Sequence, residues 1–266
     1  MKDYDSDLLR QIVRNRYAET AKGSSCGCRP GPSMSCCGAS QNGVDAVNRL
    51  MGYSGEELGG VIEGANLGLG CGNPTAVGKL KPGETVLDLG SGGGFDCFLA
   101  ARKVGDKGRV IGVDMTPEML SRARENGVKM GAANVEFRLG EIEHLPVADN
   151  SVDVIISNCV VNLSPEKGQV FREAFRVLKS GGRLAVSDVV ATAEMPDHLR
   201  EQAALLTGCI AGAEHVDRIR SLLNAAGFRD VTIALKPYSR ELVKEWFPGS
   251  GAEKYVASAD IEAIKP

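Results

Sequence analysis

From Val86 to Gly94 the chain reads VLDLGSGGG, an order that few folds accommodate. Val86-Leu87-Asp88-Leu89 is a short apolar run of the kind that a parallel strand buries on both faces. Glycines follow at 90, 92, 93 and 94, interrupted only by Ser91, and then the helix-like sequence FDCFLAARKVG. Strand, glycine turn and helix in this order open a doubly wound α/β domain. Glycine supplies the positive φ of such a turn and lets backbone lie against a ligand. The N–H groups at the start of the following helix point at that ligand.

The turn has the form D-x-G-x-G-x-G, and no Gly-Lys-Ser/Thr follows to make a nucleotide-triphosphate loop. It resembles the first motif of the class I S-adenosylmethionine methyltransferases, which implies that Asp88, Gly90, Ser91, Gly92 and Gly94 cradle the methyl donor. A second acid, Asp114, closes the next apolar run, VIGVD, where a carboxylate can accept both ribose hydroxyls. Its alternatives are a helix N-cap or a generic nucleotide site. Val135–Leu139 reads as the third strand, and its exit Gly140-Glu141-Ile142 sits beside the adenine in such a fold. Backbone groups of Glu141 and Ile142 can bond the base, with Ile142 and Met115 against its faces, and His144 is expected at the surface. The run VDVIISNCVV, Val152–Val161, is the fourth strand. Its carboxyl end, where open α/β sheets bind ligands, carries Asn158 for the donor's polar groups and Cys159 near the methyl group.

The remaining elements complete the expected architecture. Phe95–Val104, a helix opening at Thr116-Pro117-Glu118 with Thr116 as N-cap, and Glu166–Lys179 alternate with the strands, and Arg183–Val190 is the fifth strand. Helices are expected over Met195–Ala211 and Glu214–Ala226, and strands over Val231–Lys236 and Tyr255–Ile264 with the amphipathic Glu241–Trp246 between them. The result is a Rossmann-like, mostly parallel sheet of seven strands with an antiparallel C-terminal hairpin. It divides as 1–75, an N-terminal helix (5–22), a loop and a cofactor-covering segment, and 76–266, the methyltransferase domain. The N-terminal helix is either a lid over the cofactor or a docked surface helix.

A net charge of −3 leaves no electrostatic footprint for nucleic acid. No apolar run reaches membrane-span length, and the first residues lack the basic-then-apolar order of a signal peptide, so a cytoplasmic protein is expected. Nothing constrains the oligomeric state. In that compartment eight cysteines suggest thiol chemistry or soft-ion ligation rather than a disulfide framework, and no CxxC pair has zinc-site spacing. Cys26, Cys28, Cys36 and Cys37 share a Gly/Ser/Pro-rich loop, 23–43. Cys71 lies between Gly70 and Gly72, which predicts a sharp bend and an accessible sulfur. Cys97 reads as a core thiol on an apolar helix. Cys209 stands among small residues in TGCIAGA.

Taken together, NLGLGCGNP, VLDLGSGGGFDCFLAARKVG, ISNCVVNLSPEK and GCIAGA resemble the arsenite methyltransferases over nearly the whole chain. The resemblance implies S-adenosylmethionine as methyl donor, arsenite and methylarsenite as substrates, and Cys71, Cys159 and Cys209 as the thiolates that hold trivalent arsenic. It also implies a redox-active cysteine near the N-terminus, Cys36 or Cys37, regenerated by thioredoxin or a small thiol; the role of Cys26 and Cys28 stays open. Soft thiolates suit arsenic as they suit soft metals, and the arsenic lone pair needs no general base to act as nucleophile. Two other readings share these motifs. One is a C- or O-methyltransferase of a small metabolite, indifferent to the three cysteines. The other is a thiol sink that binds arsenic without methyl transfer.

Overall fold

The chain forms a seven-stranded sheet in the order β3-β2-β1-β4-β5-β7-β6. In this computed structural model residues 6–22, 47–62, 64–197, 199, 210–236, 238–246 and 249–266 are described. The strands are β1 (Thr85–Leu89), β2 (Arg109–Asp114), β3 (Val135–Leu139), β4 (Val152–Asn158), β5 (Leu178–Ala191), β6 (Arg229–Leu235) and β7 (Val256–Ile264). β1 to β5 pair in parallel, and β7 runs antiparallel between β5 and β6. The helices are α1 (Ser6–Ala21), α2 (Gly55–Gly59), α3 (Pro74–Val77), α4 (Phe95–Val104), α5 (Pro117–Met130), α6 (Lys167–Val177), α7 (Val216–Ala226) and α8 (Ser239–Trp246). The expected class I methyltransferase fold, with its antiparallel C-terminal hairpin, is the observed one.

The period-two alternation of a strand explains how β1 is held. Leu87 and Leu89 join the core beneath α6, while Val86 packs with Cys97 and Ala100 of α4 on the other face. β1 also pairs with β2 on one side and β4 on the other. Strand order reverses at that point, which opens a crevice beyond the carboxyl ends. The glycine turn occupies the crevice. Gly94 starts α4 at φ +92, and a Cβ there would lie 2.8 Å from Phe98 Cε2 and 2.9 Å from Phe137 Cζ. Those two rings already meet edge to face at 5.9 Å between centroids. Gly94→Ala is therefore expected to destabilise the fold by about 2–4 kcal/mol, the sum of left-handed strain and overpacking, read as a lower denaturation midpoint.

Several boundaries depart from the periodicity. β4 stops at Asn158, not Val161, because Cys159 turns to φ +55 and Val161–Leu163 forms a 3-10 turn. α6 ends at Val177 and β5 begins at Leu178, so Ser180-Gly181-Gly182 lies in an irregular stretch of β5 instead of ending the helix. Thr116 holds the N-cap position of α5, yet its side chain caps no helical N–H. Most of the helix expected over Met195–Ala211, and the whole cysteine-rich loop, fall outside the described residues.

Candidate active site

The crevice is a cavity whose floor is the glycine turn, with Asp88, Gly90, Ser91, Gly92 and Gly93 all lining it. Asp114, Met115, Gly140, Ile142, Asn158 and Cys159 line it too, so the sequence-predicted cofactor residues largely meet in one place. Gly94 and Glu141 do not. Gly94 packs against phenylalanine rings, and Glu141 turns its carboxylate to α1, 3.3 Å from Arg14. His144 is exposed, as expected. α1 closes the cavity with Arg10, Val13 and Tyr17, and Arg10 reaches Glu166 at 2.7 Å and Glu143 at 3.4 Å. The helix is thus docked over the cavity.

The lining fits a polar, cationic ligand. Ser91 Oγ, Asn48 Nδ2 and Arg10 Nε are buried without a hydrogen-bond partner, and all three residues face the cavity. Buried polar atoms left so are costly unless a ligand or water completes them. Three carboxyls line it as well, Asp88 and Asp96 buried and Asp114 half-buried. Burial, reinforced by the Asp96 charge, pushes Asp88 well above the ordinary range, and Asp96 rises to about 6 for the same first reason. Burial raises Asp114 too, opposed by N–H donors of Gly92 at 2.9 Å and Thr116 at 2.8 Å. Cys97, fully buried as predicted, donates its thiol to Asp88 Oδ2 at 3.2 Å. A ligand with positive charge near Asp88 and Asp96 relieves their mutual repulsion. S-adenosylmethionine, with a sulfonium and an ammonium, is such a ligand.

At the far wall of the cavity lies a sulfur pair. Cys71 is only 1% exposed, against the accessibility its glycine neighbours suggested. The reason is Asn158. The Cys71 N–H donates to Asn158 Oδ1 at 2.8 Å, and Asn158 Nδ2 donates to Gly72 O at 2.8 Å. A Cβ on Gly70 would lie 2.7 Å from that amide nitrogen, so glycine is needed for the approach. From below, Ser258 Oγ donates to Cys71 O at 2.8 Å. Cys159 follows Asn158 directly, and its N–H donates to Ser187 O at 2.9 Å. The sulfurs of Cys71 and Cys159 thereby meet, with Cα atoms 5.8 Å apart across a separation of 88 residues. Met195, Leu199, Ile210, Ala211 and Ala213 pack in the same apolar cluster as both cysteines. Cys209, beside Ile210, lies outside the described residues, as do Cys26, Cys28, Cys36 and Cys37.

The sequence reading missed three contributors. Tyr53 donates its hydroxyl to Asp96 Oδ1 at 2.7 Å, and Asn158 Nδ2 reaches Asp96 Oδ2 at 3.1 Å and Tyr53 Oη at 3.0 Å. The third is Asp188, whose carboxylate forms with the two sulfurs a buried group within 4.8 Å. Tyr53 and Asp188 carry no local signal of partnership with their neighbours in space. Asp96 has one, an acid in the first turn after the glycines.

This donor cavity ending in a buried thiol pair can be set beside known proteins. Residues 80–227 match the family model described as a methyltransferase domain. The arsenite methyltransferase of Halobacterium salinarum is 54% identical over 99% of this chain and 68% of its own length. The chain belongs to the arsenite methyltransferase family. The human arsenite methyltransferase is 42% identical over 54% of the chain, which spans 40% of that relative. Among solved structures, the arsenic(III) S-adenosylmethionine methyltransferase of Chlamydomonas reinhardtii is 34% identical with a TM-score of 0.62, over 84% of this chain and 73% of that one. A Haemonchus contortus phosphoethanolamine N-methyltransferase in complex with S-adenosyl-L-methionine, 19% identical at a TM-score of 0.64, shares the fold. In this chain Cys159 lines the end of the cavity and meets Cys71 there.

Proposed function

We propose that this family member moves the methyl group of S-adenosylmethionine onto trivalent arsenic held by thiolates of Cys71, Cys159 and Cys209, with arsenite and methylarsenite as substrates. The observation that carries the proposal is the meeting of Cys71 with Cys159, whose residue lines the cavity wall where a methyl acceptor must sit. When bound, S-adenosylmethionine supplies an electrophilic methyl group on a sulfonium. Asp88, Gly90, Ser91 and Gly92 shape its seat, Asp114 faces the ribose, and Met115, Gly140 and Ile142 frame the adenine. Asn158 stands between donor and acceptor. The cysteines hold arsenic so that its lone pair faces the methyl carbon, and alignment is their main contribution. Residues 1–75 cover the cofactor in this division and 76–266 form the transfer domain.

Arsenic loses two electrons formally as it gains the methyl group, and thiols must return them. Cys36 or Cys37, with thioredoxin or a small thiol behind it, is the proposed source. Sulfurs as close as those of Cys71 and Cys159 can oxidise to a disulfide, and such a pair must be reduced before it has a thiolate to offer. A reducing, cytoplasmic setting suits this cycle. Among the described residues no helix is long and apolar enough to cross a membrane.

The test is turnover. Reduced protein, arsenite, S-adenosylmethionine and thiol reductant should give methylated arsenic resolved by chromatography. Donor binding with no methylated arsenic would favour the small-metabolite methyltransferase instead. A pH dependence follows from Asp96, whose carboxyl lies at about 6. The cationic donor prefers the ionised form. Donor affinity is therefore expected to be flat above that pH and to fall toward tenfold per pH unit below it, in the way linked protonation requires. Calorimetric titration between pH 5 and pH 8, roughly spanning that carboxyl, reads this directly. Asp96→Asn should flatten the profile, and a flat parent profile would refute the assignment.

A further inference from the structure

Two covers from different stretches of the chain close the donor cavity, and one arginine outside the cavity holds both. Residues 65–70 form the first cover and line the cavity. α1 is the second, through Arg10, Val13 and Tyr17. Arg122 of α5 donates from Nε to Gly64 O at 2.8 Å, at the head of the first cover. It donates from Nη1 to Ala21 O at 3.1 Å, at the end of the second. Arg122 does not itself line the cavity. Helical spacing puts Met119, Arg122 and Asn126 on one face of α5. Met119 lines the cavity, and Asn126 Nδ2 donates to Gly93 O of the glycine turn at 3.0 Å. A Cβ on Gly93 would lie 3.1 Å from Ala65 O, so the first cover rests directly on that turn. One helix face thus holds the floor and both covers by their backbone carbonyls.

Two features single out Arg122 at this junction. α1 carries no basic residue in its last turn, so its C-terminal carbonyls and their partial negative charge are met from outside the helix. The neighbouring contact, Lys22 with Glu118 at 3.1 Å, is a surface pair with the lysine side chain 59% exposed, and such pairs contribute little. Arg122 is half-buried, and hydrogen bonds from a charged donor are the stronger kind. We propose that Arg122 is a positioning residue for the methyl donor: it clasps both covers over bound S-adenosylmethionine and makes their closure a single event. The inference rests on the donor reading of the cavity and does not depend on where arsenic is held. Without the guanidinium each cover closes on its own, and the donor is held under whichever one happens to be down. Tethering through a shared residue is what turns two weak closures into one strong one.

The experiment uses the full chain and S-adenosylmethionine. Calorimetric titration gives donor affinity, and hydrogen exchange read by mass spectrometry follows residues 6–21 and 64–70 with and without donor. In the parent, donor should slow exchange in both segments together. Arg122→Met keeps the aliphatic stem and removes the guanidinium. It should weaken the donor by about tenfold, the worth of one charge-assisted hydrogen bond, and the donor should no longer protect either cover fully. Exchange in β1 and β4 should match the parent. Arg122→Lys, which can reach one carbonyl but not both, should fall between. Gly64→Ala disturbs the same contact from the other side, since its Cβ would lie 3.2 Å from Arg122 Nη2. Its loss and that of Arg122→Met should therefore not add in the double variant. If Arg122→Met does not fold, Arg122→Lys and Gly64→Ala carry the test. Donor affinity within about twofold of the parent in a folded variant, protection lost from one cover only, or additive losses overturn the clasp while leaving donor binding intact. A parent that does not bind S-adenosylmethionine overturns the donor reading, and the clasp with it.

Discussion

Cys159→Ser is expected to lower arsenic methylation by at least about 10²-fold while leaving donor affinity within about twofold. The sulfur it removes is the one that both lines the donor cavity and meets Cys71. Serine keeps the size and the polar character but offers a hard, protonated oxygen. Exchanging an arsenic hydroxyl for a serine hydroxyl gains nothing, so arsenic is left on one tether fewer and its lone pair loses its aim. The backbone here is also demanding, since Cys159 sits at φ +55, and strain of this kind collects where function requires it. Serine fills that conformation no worse than cysteine, which makes the substitution a test of sulfur rather than of folding. Arsenic speciation after turnover, with donor affinity from calorimetry on the same preparation, checks the prediction. A variant that methylates arsenite at the parent rate would remove Cys159 from the reaction. Loss of donor binding in parallel would mean that the change had deformed the cavity.

How much of this was legible in the residues can be judged element by element. The sheet was, because apolar runs of strand length alternate with amphipathic ones and the glycine turn marks where the order reverses. The donor floor was as well, since glycine spacing and the two strand-end acids carry their own physical signature. The thiols were legible as residues but not as a geometry. Flanking glycines at Cys71 suggested exposure, yet they serve to let Asn158 approach, and the sulfur is buried. Asn158 itself looked like a donor contact, and 87 residues of separation hid its bond to the Cys71 N–H. Asp188 gives no sequence signal: within the run LAVSDVVA a lone acid looks like an interruption of a buried strand. Tyr53 and Asp96 are joined only by tertiary structure, across 43 residues. Local periodicity reports which face is buried, and it cannot report which distant backbone a polar side chain will meet.

That distant contact makes Asn158→Leu the more revealing second substitution. The side chain links both thiol-bearing segments to the donor cavity. It binds the Cys71 N–H and the Gly72 carbonyl on one side and reaches Asp96 and Tyr53 on the other. Leucine has a similar volume and none of these bonds. The Cys71 N–H and Gly72 carbonyl lose a side-chain partner in a largely buried place, at about 1–3 kcal/mol for each group left unsatisfied. The turn will relax toward water, carrying the Cys71 sulfur away from Cys159, which stays fixed by its strand. Methylation of arsenite is expected to fall by about 10²-fold, as a misplacement on the scale of an ångström can cause. Oxidation separates this from a general loss of structure. Peptide mapping of the oxidised parent should recover the Cys71–Cys159 disulfide in high yield, and the variant should yield little of it. Its thermal unfolding should remain a single cooperative transition. A variant that keeps both the disulfide and the methylation rate would show that the loop is held by Ser258 and its glycines alone, and that Asn158 serves the donor instead.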